Sequence, residues 1–382
     1  MKILMLGWEF PPFRSGGLGT HCYHLTKSLA SFGVKITFLM PKNPFKIKSD
    51  FMKIVEIDPA LMIGPYSFTE MVGENYGWNF FDDVWKYNAL CVRYAMREDF
   101  DFIHCHDWLT SIAGVEIKKR TGKPLVLTMH STEYDRTGSL SPNKWIVDRE
   151  ANAVRVADVI IAVSEMMKRQ LIERYNADPN KIVVIYNAID YDNWAASEVR
   201  RVFPDKKIVL FMGRLTIQKG PDFFLKAAKK VLEKNQDVRF VIGGKGDMLP
   251  QIIREAVAMG IADKVMFLGY VPESELPRLY ASADVFVLSS VSEPFGITVL
   301  EAIASKTPTV ISKQSGVREL VKNTFTVDFW DVNEMANKIL ALVTYPSLHK
   351  TMKEMGIEEV KGYTWTKVAQ ETIDKAYKRV AK

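Results

Sequence analysis

The sequence predicts an α/β protein of two consecutive domains, each a parallel sheet covered by helices on both faces. Three observations carry this. Short apolar runs alternate with longer helical patterns along most of the chain, the signature of βα units whose strands are buried on both faces. The alternation stops once, in the polar stretch DYDNWAASEVRRVFPDKK from Asp190 to Lys207, and then restarts. The length of 382 residues also suits two domains of roughly 100–200 residues each.

The elements follow in order. Ile3–Leu6 reads as the first strand. Leu18–Phe32 reads as a helix, because Leu18, Cys22, Leu25 and Leu29 fall at i, i+4, i+7 and i+11 on one apolar stripe. That spacing makes Cys22 a core residue. Val34–Met40, Phe102–Cys105, Leu125–Met129, Val159–Val163 and Ile182–Ile185 are the next strands. Beyond the seam come Ile208–Phe211, Arg239–Ile242, Val265–Phe267, Val285–Leu288 and Thr309–Ile311. The seam sets the boundary near residue 195, giving domains 1–195 and 196–365. The closing segment carries Trp365, Val368, Thr372, Ala376 and Val380 on one helical stripe. Such a helix packs on its own domain or crosses back to the first.

Composition narrows the function classes. Hydrophobic residues at 47% and charged residues at 25% are ordinary for a globular protein. Cys22, Cys91 and Cys105 are too few and too scattered for a disulfide framework and lack a C-x-x-C spacing, so a reducing, cytoplasmic location is expected. The opening MKILMLGWEF breaks at Gly7 and Glu9, against a signal peptide. No run reaches the ~18 apolar residues of a membrane span. The net charge of +6 is spread along the chain. Without a basic cluster or an aromatic platform, a nucleic-acid-binding protein is the weaker, non-enzyme alternative.

Several motifs sit where βα units bind ligands. PPFRSGGLGTHCYHL follows a strand and opens a helix. Gly16 and Gly17 let backbone N–H groups approach a ligand, and the helix N-terminus favours a phosphate; a tight βα turn explains the same residues. It is not the G-x-G-x-x-G fingerprint, and no P-loop lysine follows. In FMGRLTIQKGPDFF, Arg214 and Lys219 flank the loop after a strand, two cations suited to a diphosphate or simply solvated. In SEPFGITVLEA, Glu293 lies in the loop after Val285–Leu288 and the helix begins near Gly296. Glu301 stands inside that helix, roughly 6–8 Å from its mouth. Glu301 can accept ribose hydroxyls and Glu293 those of a bound sugar. Paired acids also occur in glycoside hydrolases, but a hydrolase has no need of two phosphate seats.

HCHDW ends one strand with His104, His106 and Asp107, and HSTEYDR follows another with His130, Glu133 and Asp135. H-C-H-D is not a standard ligand spacing, so no metal is expected. His130 is placed to meet a ligand or to serve as a satisfied core histidine. Asp190-x-Asp192 reads as a turn closed by Asn193. The segment PKNPFKIKSDFMKI interleaves Lys42, Lys46, Lys48 and Lys53 with apolar residues. It reads as a solvated loop or acceptor lid, with weak contact to an anionic membrane as the alternative.

Taken together, RSGGLG, HCHDW, HSTEYDRTG, NAID, GRLTIQKG, GGKGD, SEPFGITVLEA and SGVREL occur in the order of a known family and cover nearly the whole chain. The sequence resembles the retaining glycosyltransferases of the GT-B fold, the family-4 and glycogen/starch synthase group. The resemblance implies two Rossmann-like domains facing across a cleft, with the last helix, about 366–382, packing back on the first. It implies that Arg214 and Lys219 hold a donor diphosphate, Glu301 the ribose and Glu293 the transferred sugar. Phe295, Gly296 and Ile297 would support sugar and phosphate through their backbone, Gly16 and Gly17 would complete the phosphate seat, and Gly244 would line the donor site. Tyr270 would contact the base, His130 the sugar at the reacting face, and Asp107 the acceptor side. No cofactor or metal is implied, the partners being a nucleotide-sugar donor and a glycan, lipid or small-molecule acceptor. Within the fold, a nucleotide-sugar epimerase and a glycan phosphorylase are the alternatives. One departure stands out. Glycogen and starch synthases carry a lysine two residues before the paired glycines, and here that place is Arg14, a planar fork in place of a compact ammonium.

Overall fold

The computed structural model describes residues 1–12, 16–42, 47–58, 80–195, 201 and 203–381. Arg14, Phe45, Lys46 and residues 196–200 and 202 of the seam lie outside them. The chain forms two compact units. Unit 1 comprises Met1–Tyr134, Ser141–Asn187 and Trp365–Lys382, and unit 2 comprises Asp135–Leu140 and Ala188–Thr364. The division at Asn187/Ala188 precedes the expected boundary near 195, and Asp135–Leu140 groups with unit 2. The polar seam marks where the strand pattern pauses; the contacts change a few residues earlier.

Unit 1 is built on a seven-stranded sheet in the order β3-β2-β1-β4-β5-β6-β7. The strands are β1 (Lys2–Leu6), β2 (Lys35–Pro41), β3 (Lys53–Ile57), β4 (Phe102–His106), β5 (Leu125–Met129), β6 (Val159–Ala162) and β7 (Ile182–Val184). Every pairing is parallel, with Ile3 beside Phe102 and His106 beside Thr128. Strands β4, β5 and β6 are buried throughout, which is why they are mainly apolar, with His104, His106 and Thr128 as the polar exceptions. The helices are α1 (Gly17–Ser31), α2 (Phe80–Ala95), α3 (Asp107–Thr121), α4 (Lys144–Val156) and α5 (Glu165–Tyr175). Side chains cap two of them: Asn143 accepts from Trp145 N and Ser164 from Met167 N, each worth about 1 kcal/mol.

Strand β3 was not expected. Its residues KIVEI are only partly buried, as befits an edge, and it begins inside the segment read as a loop or lid. Lys53 pairs with Glu98 at 3.0 Å and Lys42 with Asp58 at 2.6 Å, while Ile47 is buried. The closing segment forms helix Trp365–Glu371 and then a π-helical turn, Thr372–Tyr377. All five stripe residues are buried. The extra residue of the π turn places Ala376 and Tyr377 inside together.

Unit 2 carries a six-stranded parallel sheet, β10-β9-β8-β11-β12-β13. Its strands are β8 (Lys207–Met212), β9 (Val238–Gly243), β10 (Val265–Gly269), β11 (Val285–Leu288), β12 (Thr309–Ser312) and β13 (Phe325–Val327). The helices are α6 (Pro221–Leu232), α7 (Leu249–Ala258), α8 (Leu276–Ser282), α9 (Ile297–Ala304), α10 (Val332–Thr344) and α11 (Pro346–Val360). Phe211, Phe224 and Phe240 pack through the core in tilted and edge-to-face pairs at centroid spacings of 5.5 and 5.7 Å. Asp190 and Asn193 bond at 2.7 Å in the one-turn helix Tyr191–Trp194, the turn expected there.

In both sheets the strand order reverses beside the first strand, between β1 and β4 and between β8 and β11. Open α/β sheets bind ligands at the carboxyl ends of the strands at such a switch point. Among the described residues, no helix is long and apolar enough to cross a membrane.

Candidate active site

In unit 2 the switch point gathers most of the expected donor residues. The loop after β8 carries Arg214 and Lys219, and the loop after β11 carries Ser290 to Gly296. Lys219 Nζ forms an ion pair with Glu293 Oε2, and both side chains are largely withdrawn from solvent, at 18% and 8% exposure. Ser290 Oγ donates a second bond to the same oxygen at 3.3 Å. Buried Gln218 joins the two loops: its Oε1 accepts from Arg214 Nη2 at 3.2 Å and its carbonyl from Val291 N at 2.9 Å.

The loop of Glu293 is also clamped from the β12 side. Glu293 N donates to Gln314 O at 2.8 Å, Gly316 N to Glu293 O at 2.9 Å, and Val317 N to Phe295 O at 2.7 Å. Ser292 Oγ donates to Asp135 Oδ1 at 2.6 Å. Gly296 precedes α9 at φ 108°, where only glycine sits without strain. The first N–H groups of α9, from Ile297 onward, have no partner within the helix and carry its positive end.

Glu301 stands apart from Glu293, one turn into α9. The Tyr280 phenol donates to Glu301 Oε2 at 3.0 Å. Burial and the neighbouring carboxylate push the Tyr280 pKa far up, so this donor stays protonated. Gly244, at φ 126°, lies so close to the Gly213 carbonyl that a Cβ would strike it. Tyr270 follows β10, is 62% exposed, and has Lys245 Nζ 5.9 Å from its ring centroid.

In unit 1, Gly16 precedes α1 in an extended conformation, φ 178°, and a Cβ there would meet no described atom within 4 Å. Gly17 begins the helix. Asp107 opens α3 at φ 57°, an outlier for a residue with a side chain, costing about 1–2 kcal/mol. Its carboxylate accepts from His130 N at 2.6 Å and Ser131 N at 3.3 Å. Asp107 thus fixes the turn that presents His130.

His104 and His106 share a face of β4, but their partners differ. His104 is bonded through both nitrogens, to Tyr377 Oη and Thr128 Oγ1, each at 2.8 Å. His106 Nδ1 meets His130 Nε2 at 3.0 Å, and His21 from α1 lies against His130 with ring centroids 4.4 Å apart. Burial lowers the pKa of His21 to about 4 and of His104 to about 3, and holds His106 and His130 well below the usual range. Sequence reasoning missed His21, Gln218, Tyr280 and Ser290. Gln218 and Ser290 lie in the same loops as Lys219 and Glu293, whereas His21 and Tyr280 reach their partners from other elements.

Two parallel doubly wound sheets, one with paired cations and acids at its switch point, define a glycosyltransferase of the GT-B class. Comparison with known proteins agrees. Residues 15–193 match the model for Glycosyltransferase Family 4, and residues 192–359 that for Glycosyl transferases group 1. The uncharacterized glycosyltransferase MJ1607 of Methanocaldococcus jannaschii is 32% identical, over 98% of this chain and 97% of its own. A glycogen synthase of Mycobacterium tuberculosis is 29% identical over 85% and 80%. The structure of sucrose-phosphate synthase from Thermosynechococcus elongatus superposes with a TM-score of 0.82 at 20% identity, covering 99% and 98%. The chain belongs to the family-4, glycogen-synthase-like glycosyltransferases.

Proposed function

We propose that the protein is a retaining glycosyltransferase. It moves a hexose, glucose or a close relative, from a nucleoside diphosphate sugar to a hydroxyl of a glycan, lipid or small-molecule acceptor, and forms an α-glycoside. The observation that carries the reading is the Lys219–Glu293 ion pair at the mouth of α9. A cation and an acid that neutralise each other are exchanged on binding for a phosphate on Lys219 and sugar hydroxyls on Glu293. Arg214 and the α9 N-terminus add positive field for the departing diphosphate, and Glu301 takes the ribose.

In this reading the acceptor oxygen attacks the sugar carbon on the face the diphosphate leaves. The carbon–oxygen bond to phosphate breaks as the new glycosidic bond forms, and a diphosphate oxygen takes the acceptor proton. The side chains need no covalent intermediate, and the donor site needs no metal. The roles of His130 at the sugar, Asp107 on the acceptor side, Gly16 and Gly17 at the phosphate, and Tyr270 at the base belong to the same proposal.

Similarity to a glycogen synthase supports a narrower reading, α-glucan synthesis. The three free, buried cysteines support a cytoplasmic location. Weak contact of the Lys42–Lys53 segment with an anionic membrane is a separate proposal, tested by sedimentation with vesicles.

Calorimetric titration with ADP, UDP and GDP tests the donor site. Saturable binding of one nucleotide, lost in Arg214→Ala, is the expected result, and ADP as the preferred ligand favours α-glucan synthesis. Failure of all three to bind at millimolar concentration overturns the assignment.

A further inference from the structure

Three imidazoles from separate elements meet at the carboxyl end of the unit 1 sheet: His21 on α1, His106 at the end of β4 and His130 after β5. Their ring centroids are 4.4, 5.3 and 5.6 Å apart. One nitrogen from each lies within 4.8 Å of the other two. Metal–nitrogen bonds of about 2.0–2.1 Å at tetrahedral angles hold ligand nitrogens roughly 3.3 Å apart. His106 Nδ1 and His130 Nε2, at 3.0 Å, already stand near that spacing.

One hydrogen bond leaves a lone pair where a metal needs it. His21 Nδ1 lies 2.6 Å from Asn187 Oδ1. That oxygen only accepts, so Nδ1 carries the proton and Nε2 the lone pair. His21 Nε2 is buried and has no hydrogen-bond partner among the described residues. Buried polar atoms without partners are rare and call for a ligand, a water or an ion. His104 is excluded, because both its nitrogens are bonded.

We propose that His21 Nε2, His106 Nδ1 and His130 Nε2 bind one divalent transition-metal ion of the zinc class, with the fourth position open to water. Each ring stays neutral and keeps one N–H, on the nitrogen away from the metal, so the rings release no proton. Asn187 orients His21 as an outer-shell partner. The ion fixes the tautomer of His130, leaving Nδ1–H as its only donor. All three ligands lie in unit 1. The site stands whether or not the transferase reading holds.

The test uses the untagged full-length chain, stripped with chelator and titrated with zinc against a chromophoric competitor, and with cobalt(II) followed by its visible d–d bands. One equivalent per chain and a tetrahedral-type cobalt spectrum are expected. His21→Gln should abolish the spectrum, and Asn187→Leu should weaken binding by about 10- to 100-fold. His349→Gln, in unit 2, should leave both unchanged. His130→Gln, at a partly exposed position, serves as the ligand variant if His21→Gln fails to fold by circular dichroism. Substoichiometric metal, an octahedral cobalt spectrum, or affinity unmoved by the ligand variants overturns the proposal and leaves a buried water as the partner of His21.

Discussion

Tyr280 and Glu301 form a buried pair, the phenol donating to Oε2 at 3.0 Å with Tyr280 fully enclosed and Glu301 only 9% exposed. The bond fixes one oxygen of the acid read as the ribose acceptor. Tyr280→Phe removes the donor and leaves a buried carboxylate oxygen short of a partner, at about 1–3 kcal/mol. A lower urea midpoint with roughly tenfold weaker nucleotide binding is expected by denaturation and calorimetry. Wild-type nucleotide affinity in this variant counts against Glu301 as the ribose acceptor.

Glu293 and Lys219 form a largely buried ion pair. Glu293→Ala should lower turnover by about 100-fold or more without unfolding the protein, as read by initial rates beside a circular dichroism spectrum. Lys219→Ala should act mainly on nucleotide binding. Turnover at the wild-type level in Glu293→Ala sinks the assignment.

Gly296 stands at φ 108°, and a Cβ there would come within 3.2 Å of Glu293 Cγ and Val317 Cγ1. Gly296→Ala should lower stability by about 1–3 kcal/mol through backbone strain and displace Glu293. Thermal unfolding and turnover should fall together. An unchanged melting temperature is the contrary result.

Acid should destabilise unit 1 when chelator is present. Burial lowers His21 from 6.5 to about 4 and His104 from 6.5 to about 3. The unfolded chain therefore takes up protons first as pH falls below about 6.5. Their stability contribution is complete above that value and is lost as pH falls from there toward the folded values. For His21 alone the span corresponds to roughly 3 kcal/mol. Urea midpoints between pH 8 and 5 should decline with acid, and a flat profile contradicts the buried neutral cluster.

The sheet interiors were legible because parallel strands buried on both faces read as apolar runs. Leu125–Met129 and Val285–Leu288 fall where the sequence placed them. The edge strands Lys53–Ile57 and Phe325–Val327 were not legible. Position at the edge is not the reason, because the edge strands Ile182–Val184 and Val265–Gly269 were read; KIVEI carries two charges and FTV a central threonine, so neither forms an apolar run. Arg214, Lys219, Glu293 and Glu301 were legible because each lies within a few residues of the strand end or helix start that positions it.

By itself, then, the sequence determined the two-sheet α/β plan and the groups at the switch point of unit 2, since local periodicity and βα-loop spacing encode both. Tertiary structure alone decided that Tyr280 locks Glu301, that Asp135 holds Ser292, and that His21 and Asn187 join His106 and His130. These partners are separated by 21 to 166 positions. Strand order and helix packing bring them together, and no local pattern of residues records either.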